Sequence, residues 1–105
     1  MPKAYWVARV DIHDSDAYKN YVLGNAKAFE KYGARFLVRA GRSELMEGTA
    51  RSRNVVVEFP DFDTAVACYN SHEYREALQH RLGGVAEADL VVVEGWDGGT
   101  PPLPG

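Results

Sequence analysis

The sequence predicts an α+β sandwich of βαββαβ order, with the helices on one face of a four-stranded antiparallel sheet. Three observations lead there. Segments alternating at period two and segments with helical spacing follow one another in that order. Aspartate and serine stand where helices need N-caps, at Asp14–Ser15, Asp61 and Ser71. Gly33 and Pro60 stand where a helix and a strand must stop.

The elements follow in order. Ala4 to Ile12 alternates, with Trp6, Ala8, Val10 and Ile12 on one side and Tyr5, Val7, Arg9 and Asp11 on the other. Tyr18, Tyr21, Val22, Phe29 and Tyr32 recur near helical spacing, which predicts a helix from Ala17 to Tyr32. Gly24 inside it costs about 1 kcal/mol relative to alanine, so a neighbour packs closely there. Arg35 to Ala40 reads as a second strand, with a short arm from Ser43 to Glu47 after Gly41. Asn54 to Phe59 is the third strand, because Pro60 removes a ladder donor. Helices from Phe62 to Tyr69 and from His72 to Arg81 follow, and Leu90 to Glu94 is the last strand. One domain therefore spans 1–95, and 96–105 is a Gly/Pro-rich tail expected to be extended.

This order is that of a ferredoxin-like fold. The helix-covered face is expected to collect Trp6, Ala8, Val10, Ile12, Phe36, Val38, Ala40, Val55, Val57, Phe59, Val91 and Val93. The opposite face collects Tyr5, Val7, Arg9, Leu37, Arg39, Val56, Glu58, Leu90, Val92 and Glu94. It is too apolar for a solvated face and too charged for a monomer core. A homodimer through this sheet face, with Arg9, Arg39, Glu58 and Glu94 pairing there, satisfies both conditions.

A chain of 105 residues has room for one core. The net charge of −3 gives no basis for a nucleic-acid or anionic-membrane partner. No segment approaches the length of a membrane span, and the N-terminal Met-Pro-Lys-Ala-Tyr-Trp lacks the apolar run of a signal peptide. The single cysteine, Cys68, has no internal disulfide partner, which makes the cytoplasm the expected location. It reads as a small buried apolar residue within its helix rather than a nucleophile. No phosphate loop, nucleophile elbow or ligand-spaced Cys/His cluster occurs, so neither cofactor nor metal is expected. His72, Glu76 and His80 share a helix face, yet the two histidines lie about 12 Å apart along the axis, too far to share an ion.

Candidate site residues divide into two groups. Tyr69, Tyr74 and Arg81, with Trp6 and Arg39, offer phenols, an indole and guanidinium groups suited to a small carboxylate or phenolic ligand. Their structural reading is packing, with Arg81 tying a helix end to a carboxylate or carbonyl. For catalysis, His13 stands at a strand end beside Asp11 and Asp14, and Glu58 belongs to a polar group with Arg39, Glu47 and Arg53. That group reads either as an acid–base or anion-binding cleft or as a salt-bridge network holding a dimer in register.

Several segments resemble a bacterial family known as domain of unknown function 1330, within the dimeric α/β-barrel superfamily. They are Tyr32-Gly33-Ala34-Arg35, Val38-Arg39-Ala40-Gly41, Glu47-Gly48 and Arg53-Asn54-Val55-Val56-Val57-Glu58-Phe59-Pro60. Ala65, Tyr69, Ser71, Glu73-Tyr74, Arg81 and Val93-Glu94-Gly95 follow in order. The sequence departs from the pattern at Ala34, Cys68 and His72, where a glycine, an aromatic residue and a proline are usual. The resemblance implies a dimeric α/β barrel with a pocket, in a superfamily that includes cofactor-free monooxygenases, haem-degrading enzymes and lactone isomerases. Two function classes follow. The first is a dimeric small-molecule-binding or scaffold domain; the alternative is a cofactor-independent monooxygenase or isomerase acting on a small phenolic or lactone substrate.

Overall fold

The computed structural model of the chain describes residues 2–96. Its elements are strand β1 (Ala4–Ile12), helix α1 (Ser15–Lys31), β2 (Arg35–Arg39), β3 (Arg53–Phe59), α2 (Phe62–Asn70), α3 (His72–Leu78) and β4 (Ala86–Glu94). All pairings are antiparallel and the spatial order is β2-β3-β1-β4, so β1 and β3 are central. The expected order is present, with the second helical region divided in two. The tail read at 96–105 lies, beyond Trp96, outside the described residues.

Local chemistry sets the boundaries. The Asp14 carboxylate accepts from Ala17 N at 3.1 Å and opens α1. Asp61 does the same for α2 through Thr64 N at 2.7 Å, and that bond holds its carboxyl below the usual range. Ser71 adopts an extended conformation, which ends α2 and starts α3 at one residue. Its Oγ accepts from Tyr74 N at 3.1 Å and donates to Cys68 O at 2.7 Å. Gly33 stops α1 in the left-handed region, at φ +68°.

Trp6 is the hub of the core. It is 2 % exposed, its indole N–H donates to Ala65 O at 2.9 Å, and its ring meets Phe29, Phe59, Tyr69 and Tyr74 at centroid distances of 4.9–5.8 Å. Helix α1 lies against α3 at Gly24, where a Cβ would stand 3.1 Å from the Ala77 Cβ. That contact is the close approach expected of a glycine in mid-helix. Cys68 is fully buried, and burial pushes its thiol up to about 12.

Two strand faces differ from the sequence reading. In β4 the residues paired toward the helices are Ala88, Leu90 and Val92, opposite Val10, Ala8 and Trp6. Val91 and Val93 point the other way and are 55 % and 44 % exposed. The cause is register: β4 begins at Ala86, and Glu87 and Asp89 take the open face. In β2 a bulge between Phe36 and Val38 inverts the alternation. Val38 then pairs with Val56 on the open face, while Arg39 pairs with Val55 and turns to the helix side. No strand forms in the arm from Ser43 to Glu47, whose residues are exposed.

Candidate functional site

The two catalytic candidates do not converge. His13 follows the C-terminal end of β1, half-exposed, with Nε2 3.6 Å from the Glu87 carboxylate. Glu58 pairs with Tyr5 near the start of β1. About seven residues of strand, roughly 23 Å, separate the two ends. Glu58 is already engaged within the chain, 3.3 Å from Lys3 Nζ and 3.8 Å from Arg35 Nε. The expected four-charge set of Arg9, Arg39, Glu58 and Glu94 is therefore broken up, since Arg39 and Glu94, which pairs with the buried Ala4, lie on the helix side of the sheet. The group of Arg39, Glu47, Arg53 and Glu58 is not one cleft either. Arg39 and Arg53 line the helix side, Glu58 lies on the open face, and Glu47 belongs to the exposed arm.

Tyr69 and Arg81 do meet. With Val66, Asn70, Ala88, Leu90 and Val92 they line a cleft of about 430 Å³ between α2 and β4. Tyr74 is fully buried, its ring 5.2 Å from that of Tyr69, and Trp6 lies 5.8 Å from the same ring. Helix spacing accounts for part of this: Val66, Tyr69 and Asn70 share one side of α2. The alternation of β4 brings Ala88, Leu90 and Val92 to the opposite wall.

Arg81 is the unusual member. It is 8 % exposed, its guanidinium lies over the Tyr21 ring at 5.2 Å, and its Nε is buried without a hydrogen-bond partner. Burial opposes its charge, the phenol oxygens of Tyr74 and Tyr21 support it, and the net direction of its pKa is upward. Among the described residues it forms no ion pair and no side-chain bond to a carbonyl, so the expected tie to a carboxylate or carbonyl is replaced by its contact with Tyr74. Tyr21 and Tyr74 share a hydroxyl–hydroxyl hydrogen bond of 2.7 Å. Burial raises the Tyr74 phenol far above its ordinary range, Tyr21 adds to this and Arg81 opposes it, so Tyr74 stays protonated. At the rim, Arg75 donates to Asn70 Oδ1 at 3.1 Å and lies over the Tyr69 ring at 5.4 Å. The cleft thus offers an apolar floor, a phenol, an amide and the Arg81 guanidinium. No carboxylate or imidazole is among its lining residues.

Arg51 is a functional-looking residue that sequence reasoning passed over. It bonds Asp11 at 2.9 Å, Asp89 at 2.9 Å and Glu87 at 3.2 Å, tying β1 to β4 across the open face. The pairing of Arg9 with Asp89 and Asp11 with Glu87 places these acids together, and only that register reveals their need for a cation. His72 pairs with Glu76 at 2.9 Å on an exposed helix face. Among the described residues no cluster of His, Cys, Asp or Glu could hold a metal ion, and no helix is long and apolar enough to cross a membrane.

The sheet order and the helix layer define a ferredoxin-like α+β sandwich. The chain belongs to the domain-of-unknown-function family DUF1330, whose model matches residues 3–96. No curated protein shows significant sequence similarity to it. Among solved structures it is similar to a protein of unknown function from Rhodopseudomonas palustris, with 20 % identity and a TM-score of 0.72, over 90 % of this chain and 83 % of that one. It is also similar to SnoaB, a cofactor-independent oxygenase from Streptomyces nogalater, with 12 % identity and a TM-score of 0.59 over the whole of both chains. A third is a possible oxidoreductase of unknown function from Bacteroides thetaiotaomicron, at 11 % identity and a TM-score of 0.55, covering 89 % of this chain and 97 % of that one. At these identities the likeness is one of fold.

Proposed function

We propose that the protein is a homodimeric small-molecule-binding domain whose cleft between α2 and β4 takes a small aromatic acid. The observation that carries this reading is Arg81: a guanidinium 8 % exposed, with an unpartnered Nε, in a cleft wall that supplies no carboxylate. A buried guanidinium with no carboxylate partner has spare charge and a free Nε donor, which an anionic ligand can engage. The ligand's ring fits between Tyr69 and the floor of Val66, Leu90 and Val92, while Asn70 and the Tyr69 hydroxyl can read a second polar group.

Dimerisation through the open sheet face belongs to the same reading. Leu37, Val38, Val91 and Val93 are exposed there to between 41 % and 55 %, an apolar surface that a second copy would cover. The lone buried Cys68 is in keeping with a cytoplasmic setting.

A cofactor-independent monooxygenase draws support from the fold shared with SnoaB, and Arg81 and Tyr69 could orient a phenolate. The lining holds no carboxylate or imidazole to accept a proton, so binding is the reading preferred. The test is calorimetric titration of 4-hydroxybenzoate against 4-hydroxybenzamide. Acid binding with no amide binding is expected. Equal binding of the two, or none by the acid at millimolar concentration, would remove the role given to Arg81.

A further inference from the structure

We infer that a second ligand site lies on the α1 side of the sheet, where Arg53 and Arg39 receive the carboxylate of an aliphatic acid whose chain runs along α1. A cavity of about 40 Å³ lies between α1 and the sheet, with apolar walls from Phe29, Phe36 and Val55. It has room for a carboxylate-sized group or a few waters and none for an aromatic ring.

Arg53, Arg39 and Asn25 reach it, beside the phenols of Tyr18 and Tyr21. Arg53 lies over the Tyr18 ring at 5.6 Å with its Nε buried and without a hydrogen-bond partner. Arg39, turned to this side by the β2 bulge, lies over the Phe36 ring at 4.6 Å. Asn25 is 7 % exposed, and its side chain makes no hydrogen bond to another described residue. Neither arginine forms an ion pair among the described residues. Two cations and an amide donor thus surround a space that no acidic side chain lines.

The cavity also has an outlet. Tyr18, Val22 and Arg53 line both it and an open groove of about 340 Å³, whose other walls are Lys19 and Leu23. Leu23 is 74 % exposed, an apolar surface beside a lysine. A carboxylate held by Arg53 and Arg39, with Asn25 donating to it, leaves its chain on Val22 and Leu23, and Lys19 attracts the anion during approach. A planar aromatic acid suits the Arg81 cleft; this narrow cavity and shallow groove suit a flexible chain. The two sites share only Leu90 among their lining residues, so this inference does not depend on the Arg81 reading.

Hexanoate is the probe and hexanamide its neutral control, followed by the Asn25 side-chain amide signals in a ¹⁵N-edited NMR titration. Hexanoate is expected to shift those signals and hexanamide to leave them in place. Arg53→Met should weaken hexanoate by about 10-fold or more, the loss of one charge-assisted hydrogen bond. Arg39→Met, at an exposed residue whose loss leaves the core intact, should weaken it several-fold. An unmoved Asn25 at millimolar hexanoate, equal binding of hexanamide, or unchanged affinity in both Arg53→Met and Arg39→Met would overturn the inference.

Discussion

Replacing Arg81 by methionine separates the requirements of folding from those of binding. Methionine keeps an unbranched apolar stem and removes the charge. In the folded protein the guanidinium gains a cation–π contact with Tyr21 at 5.2 Å and a polar contact with Tyr74. These are worth about 0.5–2 and 1.5–3 kcal/mol respectively. Against them stands the desolvation of a cation that is 8 % exposed and has no carboxylate partner, which costs several kcal/mol. The two sides nearly cancel, so Arg81→Met should shift the free energy of unfolding by no more than about 1–2 kcal/mol in either direction. For a domain of this size each kcal/mol moves Tm by about 4–8 °C. The same substitution should weaken 4-hydroxybenzoate by about 10- to 150-fold, because a charge-assisted hydrogen bond of about 1.5–3 kcal/mol is lost. Differential scanning calorimetry with and without the acid reads both quantities. A ligand-free variant destabilised by about 3 kcal/mol or more, with its ligand-induced rise in Tm intact, would refute the reasoning and make Arg81 a structural anchor.

Three further outcomes test other parts of the structure. Cys68 is raised to about 12 in the folded state, so its thiol contributes stability that is complete below its unfolded value near 9 and is lost as pH rises toward 12. Urea unfolding between pH 9 and 10 should show stability falling more steeply in the natural chain than in Cys68→Ala, by up to about 1.4 kcal/mol per pH unit; equal slopes would contradict the burial assigned to the thiol. Gly24→Leu drives a side chain into Ala77, 3.1 Å from the ideal Cβ, and should cost about 1–3 kcal/mol in the same assay, while a neutral result would show that α1 and α3 can separate. Light scattering should give twice the 11.6 kDa chain mass for the natural protein and the single mass for Val91→Glu, and a monomeric natural chain would remove the sheet-face dimer.

The fold was legible because its punctuation is chemical. Asp14, Asp61 and Ser71 cap the three helices they precede, and Gly33 ends α1 where it was expected to. The faces were less legible, for two physical reasons. Leu90-Val91-Val92-Val93 is apolar throughout, so period two assigns it no face; the preceding Ala86-Glu87-Ala88-Asp89 does alternate and belongs to the same strand. The β2 bulge carries no glycine or proline signal, yet it moves Arg39 from one side of the sheet to the other. Such a shift depends on pairing with β3, which local sequence does not encode.

The candidate site was legible as residue types more than as places. Tyr69, Tyr74 and Arg81 do cluster, but the missing counter-ion of Arg81 emerges only once α2, α3 and β4 are assembled. Asn25 carries a signal in the sequence itself. It falls on the apolar stripe of Tyr18, Tyr21, Val22 and Phe29, where a buried amide requires a partner. Charge alone groups Arg53 with Glu58, whereas the register sets it opposite Val10 on the helix side.

The most direct test of the central claim is a crystal structure of the protein with 4-hydroxybenzoate. A carboxylate about 3 Å from the Arg81 Nε, with the ring lying beside Tyr69, is the predicted result. The acid bound elsewhere, with the Arg81 cleft empty, would contradict it.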